Sequence, residues 1–405
     1  MTTNYHHGVR AFDKTTAVPV IRVGESGEIG IIGTAPEADN DKWPLNVPVA
    51  IVGDITKAES LGGAGTLPIA LKTIWKQYSQ TSGKIVVVRV EEIADPDQQK
   101  SAVIGDVTQK TGVHAFRSAN TLVGIEPDLL IAPGFANATA DGVANAVVNE
   151  LVSVANRLRS FVFFDGPNTS AADAVLAREN YGSDRAMMVD NYISEWDTAS
   201  DGEVQLPGSI LAAAMQSKMD LERGFWWPAS NKPALVNGTA RVVDFRSNDS
   251  GCEANFLNSH DITTIIRDDG FRLWGTHTLD SEKLLGGTIV GRRVADKTYD
   301  ALERGLMAYI DVPTSIQALK DIAATAEEFL RSMVRQGALI SFQFELPLEL
   351  NSARQMADGK LVYRLKFVEA ASIREIQLWG YRTPDLYEEF LTRAAAVSSS
   401  SAVAA

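Results

Sequence analysis

The residues best suited to hold a metal are five histidines and one cysteine, and their spacing does not suit one. His6 and His7 are adjacent, so their side chains share no face of a helix or strand. His114, His260 and His277 are far apart, with no Cys or His at ligand spacing. Cys252 lies in SNDSGCEANF, where no basic neighbour would hold a thiolate. Gly62-Gly63-Ala64-Gly65-Thr66 resembles a phosphate loop in glycine content alone; the Gly-Lys-Ser/Thr that supplies an ammonium and a hydroxyl is missing. The pairs Asp268/Asp269 and Glu388/Glu389 could be drawn as acid and base, but adjacent acids in a turn or at a helix end are solvated and stay ionised. Phe225-Trp226-Trp227, followed by Pro228, could stack on bases only with basic partners, and only Arg223 and Lys232 are near in sequence. These three rings read as a buried cluster, inside the chain or between subunits. No catalytic, cofactor-binding or metal-binding constellation is expected.

The elements that would position such groups can be read from hydrophobic period and punctuation. The first stretch, 8–23, is β-rich but interrupted by Pro19, which suits an extended arm or edge strand. Strands are expected at 29–33, 49–53 and 84–90, with a helix carried by Leu67, Leu71, Ile74, Trp75 and Tyr78 between the last two. A second α/β region has strands at 128–133, 161–164 and 185–189, with helices at 143–158, 171–179 and 210–222. In the third, Asp268-Asp269-Gly270 predicts a hairpin turn between strands 262–266 and 270–274. Two helices follow: one lined by Val294, Thr298, Leu302, Leu306 and Tyr309, the other by Leu319, Ile322, Ala326, Phe329 and Met333. Thr314 and Gln317 suggest a capping box for the second, and Gly337 stops it. Strands are then expected at 360–368 and 374–382, and a helix start at Pro384. The tail AAAVSSSSAVAA has no packing pattern. The fold class is therefore α/β and α+β, multi-domain. The expected divisions are an N-terminal arm 1–23, α/β regions 24–94 and 95–253, an α+β domain 254–380 and a C-terminal arm and tail 381–405.

Composition narrows the function classes. The 405 residues are 45% hydrophobic and 22% charged, which fits a folded chain in two or three domains. Thirty-eight basic and 51 acidic residues leave a formal charge of -13. Such a field repels phosphate backbones, so no nucleic-acid partner is expected. A single cysteine excludes an intrachain disulfide. The start MTTNYHHGVRAFDKT has no apolar core of a secretory signal, and no apolar run reaches membrane-spanning length.

Several phrases together resemble the tail sheath proteins of contractile bacteriophage tails, in the branch shared by temperate myophages and R-type pyocins. They are Tyr5-His6-His7-Gly8-Val9; Glu37-Ala38-Asp39 through Pro44-Leu45-Asn46-Val47-Pro48-Val49; Lys84-Ile85-Val86-Val87-Val88-Arg89-Val90; and Gly224-Phe225-Trp226-Trp227-Pro228-Ala229-Ser230-Asn231-Lys232. The most specific is Leu257-Asn258, then Ile262-Thr263-Thr264-Ile265-Ile266, then Asp269-Gly270-Phe271-Arg272-Leu273-Trp274-Gly275. Where the family continues with Arg-Thr, this chain has Thr276-His277-Thr278, and neutral His lacks the charge and donor fork of arginine. The resemblance runs from about residue 5 to 391.

This resemblance implies a structural subunit without enzymatic activity or cofactor. Such subunits polymerise with six-fold symmetry around an inner tail tube, between baseplate and tail terminator proteins, and contract to drive the tube through a bacterial envelope. They belong to the virion and assemble in the host cytoplasm without entering a membrane. The resemblance also implies an inner domain built from the terminal regions, outer domains from the middle, and arms that exchange strands between subunits. Val9, Ala11, Val18, Val20, Leu361, Tyr363, Leu365, Ile376 and Leu378 are the candidate strand-exchange residues. Asp385, Glu388 and Glu389, near the positive end of the last helix, are the candidate tube contact. Two other readings are a non-contractile ring or tail component and an α/β nucleotide-using enzyme; the second lacks a glycine loop placed directly after a strand.

Overall fold

The computed structural model describes residues 21, 24, 26–78, 83–197, 201–283 and 287–399. The arm residues Val9, Ala11, Val18 and Val20 lie outside the described residues. In chain order the first elements are β1 (Ile29–Thr34), β2 (Pro48–Val52), α1 (Leu67–Tyr78), β3 (Lys84–Val90), α2 (Pro96–Ile104), α3 (Ala119–Val123) and β4 (Leu129–Ile131). Next come α4 (Ala146–Leu158), β5 (Phe161–Asp165), α5 (Ala171–Arg178), β6 (Ala186–Asp190), β7 (Ile193–Asp197), β8 (Gly202–Leu206) and α6 (Gly208–Arg223). Then follow β9 (Pro233–Ala234), β10 (Gly238–Thr239), α7 (Glu253–Ser259), β11 (Thr263–Arg267) and β12 (Phe271–Trp274). The last are α8 (Ile289–Leu306), α9 (Ile316–Gln336), β13 (Leu339–Glu345), α10 (Ala353–Ala357), β14 (Arg364–Glu369) and α11 (Leu386–Ser399).

A nine-stranded sheet in the order β2-β3-β1-β4-β5-β6-β11-β12-β9 organises most of the chain. Its middle six strands are parallel, and β2, β12 and β9 close the flanks antiparallel. Parallel strands need helices over both faces, which is why these strands read as unbroken apolar runs. Alternate residues enter two cores. Ile29, Ile31, Ile85, Val87, Phe161 and Phe163 pack on one side with α1 and α6. Ile32, Val86, Val88, Val162 and Phe164 pack on the other with α4. The expected divisions at 94/95 and 253/254 run through this sheet, because segments on both sides of each contribute strands to it. The residues divide into units Met1–Ala371 and Ser372–Ala405.

In the first unit, α8 and α9 extend the first core through Val294, Leu302, Phe329 and Met333. A separate antiparallel pair, β13 and β14, packs against them. Two sequence expectations need correction here. Ser315, rather than Thr314, caps α9, its side chain accepting from Ala318 N–H, and Gln317 turns to Asp321 instead of closing a capping box. The strand expected at 374–382 is not one; β14 pairs with β13, whose alternating LISFQFE follows directly on the Gly337 stop.

The second unit is irregular up to α11, which continues to Ser399 through the alanine-rich tail that looked patternless. Alanine needs no apolar stripe to be helical, since it has the highest intrinsic propensity.

Candidate assembly surfaces

His6 and His7 lie outside the described residues, and several of the other groups singled out for their chemistry are engaged by the fold. The glycine loop at 62–66 is filled by the chain's own acid: the Glu37 carboxylate accepts from Gly63 N–H at 2.8 Å, where a phosphate would sit. A Cβ on Gly65, at φ +92°, would stand 2.4 Å from the Thr34 carbonyl oxygen, so that glycine serves a close backbone approach. Cys252 is buried at the start of α7. His114 is buried beside Glu150, and burial lowers its pKa. His277 sits against Asp261, which also takes Arg178 and Lys283. Despite the cost of burial, His277 and Lys283 hold the Asp261 carboxyl at about 2. Among the described residues, no group of three or more His, Cys, Asp or Glu is placed to hold a metal. Within them also, no helix is long and apolar enough to cross a membrane. Asp268 and Asp269 are exposed in the β11–β12 hairpin, Asp269 and Gly270 taking the positive φ values that the turn requires.

The phrases that carried the resemblance hold the fold together. Arg89, at the end of β3, donates from Nε to the Trp43 carbonyl at 2.7 Å and from Nη1 to the Ala35 carbonyl at 3.2 Å. It thereby pins loop 35–48 over the sheet. Asn258 spans α7 and β12, donating to the Ala254 and Trp274 carbonyls. Gln216 on α6 anchors the aromatic turn, donating to the Trp227 carbonyl and accepting from Ala229 N–H.

The expected burial of Phe225, Trp226 and Trp227 is uneven. Phe225 is 3% exposed, Trp226 packs edge-on against it and is half-buried, and Trp227 is 38% exposed. Phe225→Ala should therefore cost about 3–5 kcal/mol. Trp227→Ala should cost about 1 kcal/mol, mainly its cation–π contacts. Urea unfolding of the two variants separates them, and equal losses would contradict this division.

Buried charge ties the elements together. Arg293 on α8 places both terminal nitrogens on Asp220 of α6, and Lys297 reaches Asp128 at 2.6 Å. Glu28 lies in the same cluster, its pKa raised by burial first and by Asp128 second. Asp165, at the end of β5, is fully enclosed and accepts from Ser209 N–H at 2.8 Å. Burial, reinforced by Asp190, pushes its carboxyl up to about 7 from an ordinary value of 3.8. A raised folded-state pKa means that the protonated form is favoured by folding. Its stabilising contribution is complete below about pH 4 and is lost as pH rises through about 7. Asp165→Asn can keep both Ser209 contacts without the charge. It should match the unaltered protein near pH 4 and exceed it in stability above pH 7. Parallel pH–stability curves would refute the assignment.

The residues expected to serve assembly lie in two described regions. The β13–β14 sheet has two strands, and the outer edge of each is unpaired among the described residues. Phe342, Phe344, Leu365 and Phe367 pack against the core. Tyr363 stacks on Phe344 and donates to the Leu319 carbonyl at 3.1 Å. Leu361 and Tyr363 lie just before β14 and Leu365 on it, all partly buried. Leu365 and Tyr363 thus face the core side, while Ile340 and Val368 are exposed on the other face and the backbone edges are open among the described residues. In the second unit, the expected exchange residues Ile376 and Leu378 lie in unpaired chain and are 75% and 91% exposed, as are Ile373, Trp379 and Tyr381 to similar degrees. Asp385, Glu388 and Glu389 are exposed at the start of α11, where Glu389 pairs with Arg393 one turn on. Sequence reading missed β13, although its alternation at 339–345 was the available signal.

The fold defines a class. It matches the helical sheath of the anti-feeding prophage in its contracted state with a TM-score of 0.67 at 18% identity, covering 93% of this chain and 99% of that one. It also matches the contracted sheath complex of an extracellular contractile injection system, with a TM-score of 0.66 at 15% identity over 95% and 100% of the two chains. In sequence, residues 108–279 match the phage tail sheath protein central domain. A prophage major tail sheath protein of Pseudomonas aeruginosa is 33% identical over 371 residues, 90% of this chain and 93% of that protein. The tail sheath protein of Escherichia phage P2 is 27% identical, over 93% and 95%. The chain belongs to the phage tail sheath protein family.

Proposed function

We propose that this subunit polymerises with six-fold symmetry around an inner tail tube, between baseplate and tail terminator proteins, and contracts to drive the tube through a bacterial envelope for genome delivery. The observation that carries the reading is the two-stranded β13–β14 sheet with both outer edges unpaired among the described residues. An open edge is a liability in a monomer and an attachment point in a polymer. Arms supplied by neighbouring subunits would add strands to it: residues 8–23 from one, and 373–381, carrying Ile376 and Leu378, from another. Backbone pairing then holds the lattice while folded bodies rotate during contraction. On this reading residues 24–253 face outward, and 254–380 with the arms form the inner layer. The same fold in two contracted sheaths supports the assignment.

Asp385, Glu388 and Glu389 are the proposed tube contact, since exposed charges position a surface while adding little net affinity to be overcome on sliding. Electron microscopy of the purified protein, with and without tubes, tests both ideas. Long hollow cylinders are expected; discrete rings or monomers would favour a non-contractile component. Glu388→Lys with Glu389→Lys should weaken assembly on tubes several-fold more than empty cylinders, with a salt-dependent defect. Equal loss of both would assign α11 to the arm instead.

A further inference from the structure

Trp227 carries two cations over one ring: the Arg223 guanidinium carbon lies 4.9 Å and the Lys232 ammonium 5.7 Å from its centroid. Arg272, from β12, donates to the carbonyls of Asp268 and Asn231, which leaves its charge uncompensated. Among the described residues, none of these three cations makes an ion pair. Burial, then the charges of Arg223 and Arg272, lower the Lys232 pKa, so the cations crowd one another. A chain of net charge -13 keeps a strained positive patch around a half-open tryptophan. An arriving carboxylate would relieve that repulsion, and aromatic and arginine side chains together are what interface centres favour.

The complementary surface lies at the other side of the main sheet. Glu91, Glu92, Asp95 and Asp97 follow β3 within seven residues, and all are exposed. Among the described residues, Glu91 and Glu92 make no ion pair; Asp95 is engaged in capping α2, and Asp97 has only Lys100 at 4.0 Å. Lys232 directly precedes β9, the outermost strand on one side, whereas β3 is second from the opposite edge. Leu235, three residues on from Lys232, pairs with Gln77 at the end of α1 that leads into β3, but the acidic loop leaves the other end of β3, about 20 Å away along the strand. One chain cannot bring them together; two chains side by side can.

We propose that the Arg223–Trp227–Lys232–Arg272 patch docks the acidic loop 91–97 of a second copy, a head-to-tail contact between neighbouring subunits that is separate from strand exchange. A contact between two different surfaces repeats from copy to copy, closing as a ring or continuing as a helix. The proposal rests on the sheath reading and adds the lateral contact to it.

The test uses full-length protein and measures the lowest concentration that gives cylinders. Arg223→Glu with Lys232→Glu should raise it about tenfold or more, because like charges would then face each other. Glu91→Lys with Glu92→Lys should do the same. Mixing these two double variants should restore assembly of alternating copies, because the reversed patch of one then meets the reversed loop of the other and the unaltered patch meets the unaltered loop. Combining all four changes in one chain should likewise bring the value back towards that of the unaltered protein. A Lys232→Cys, Glu92→Cys chain joined by a short thiol cross-linker should give a ladder of oligomers, and this readout survives if a charge variant fails to fold. Unaltered protein that makes no cylinders would sink the sheath reading and this contact with it. Cylinders unaffected by the reversals, or no ladder from assembled cysteine variant, would overturn the contact alone. Loss on reversal without recovery in the fourfold variant would show that the cationic patch takes another acidic partner, which also overturns the pairing.

Discussion

Removal of residues 372–405 should leave a folded subunit that forms no cylinders. The cut falls at the boundary between the two units, so the core on both faces of the main sheet and the β13–β14 pair stay in one piece. What is lost is a stretch whose Ile376, Leu378 and Trp379 are at least three-quarters exposed and α11, which keeps its own first-turn acids. Such exposure is unfavourable in an isolated chain, and a strand donated to a neighbour would bury it. Circular dichroism should lose only the α11 contribution, with an unchanged thermal midpoint, while microscopy shows monomers at every concentration. Deleting 1–16 should have the same outcome, from the other arm. Cylinders of normal length from either truncation would end the strand-exchange account. A subunit that unfolds on truncation would show instead that the arms complete its own core.

Asp220→Ala should cost about 3–5 kcal/mol of subunit stability. Arg293 is 4% exposed and has both terminal nitrogens on Asp220; without that carboxylate its nearest acid is Asp128 at 3.9 Å. A guanidinium cannot shed its proton to escape, so its desolvation remains uncompensated. Replacing both partners, Asp220→Leu with Arg293→Met, removes the two buried charges together and should lose much less. Urea unfolding of Asp220→Leu, Arg293→Met and the double variant closes the cycle. If the double variant lost as much as the singles combined, packing at this position, and not charge, would be the cause.

Much of this protein was legible before any tertiary information, and the legible parts are local. Leu71, Ile74 and Tyr78 recur at helical spacing because one face of α1 is buried, and the run Ile85–Val88 in KIVVVRV is apolar because both faces of β3 are covered. Asp268-Asp269-Gly270 could only be a turn. What needed the folded chain were partnerships between distant residues. The stretch 374–382 has strand-forming residues, yet a strand exists only where another backbone accepts its hydrogen bonds, and none does among the described residues. β14 found its partner in 339–345, which ordinary alternation marked but no local rule could pair with it. The single sheet uniting 24–94, 95–253 and the β11–β12 hairpin is likewise invisible locally, because parallel strands carry no turn that states their neighbour. Asp220 and Arg293 are 73 positions apart, and each alone looks like a surface charge. The uneven fate of Phe225, Trp226 and Trp227 follows from the path that Gln216 imposes on the turn, which places Trp227 outward between Arg223 and Lys232. Side-chain type and spacing decide which segments can be helices, strands or turns; only the closing of long loops decides which of them meet, since that cost is met by contacts that no local segment contains.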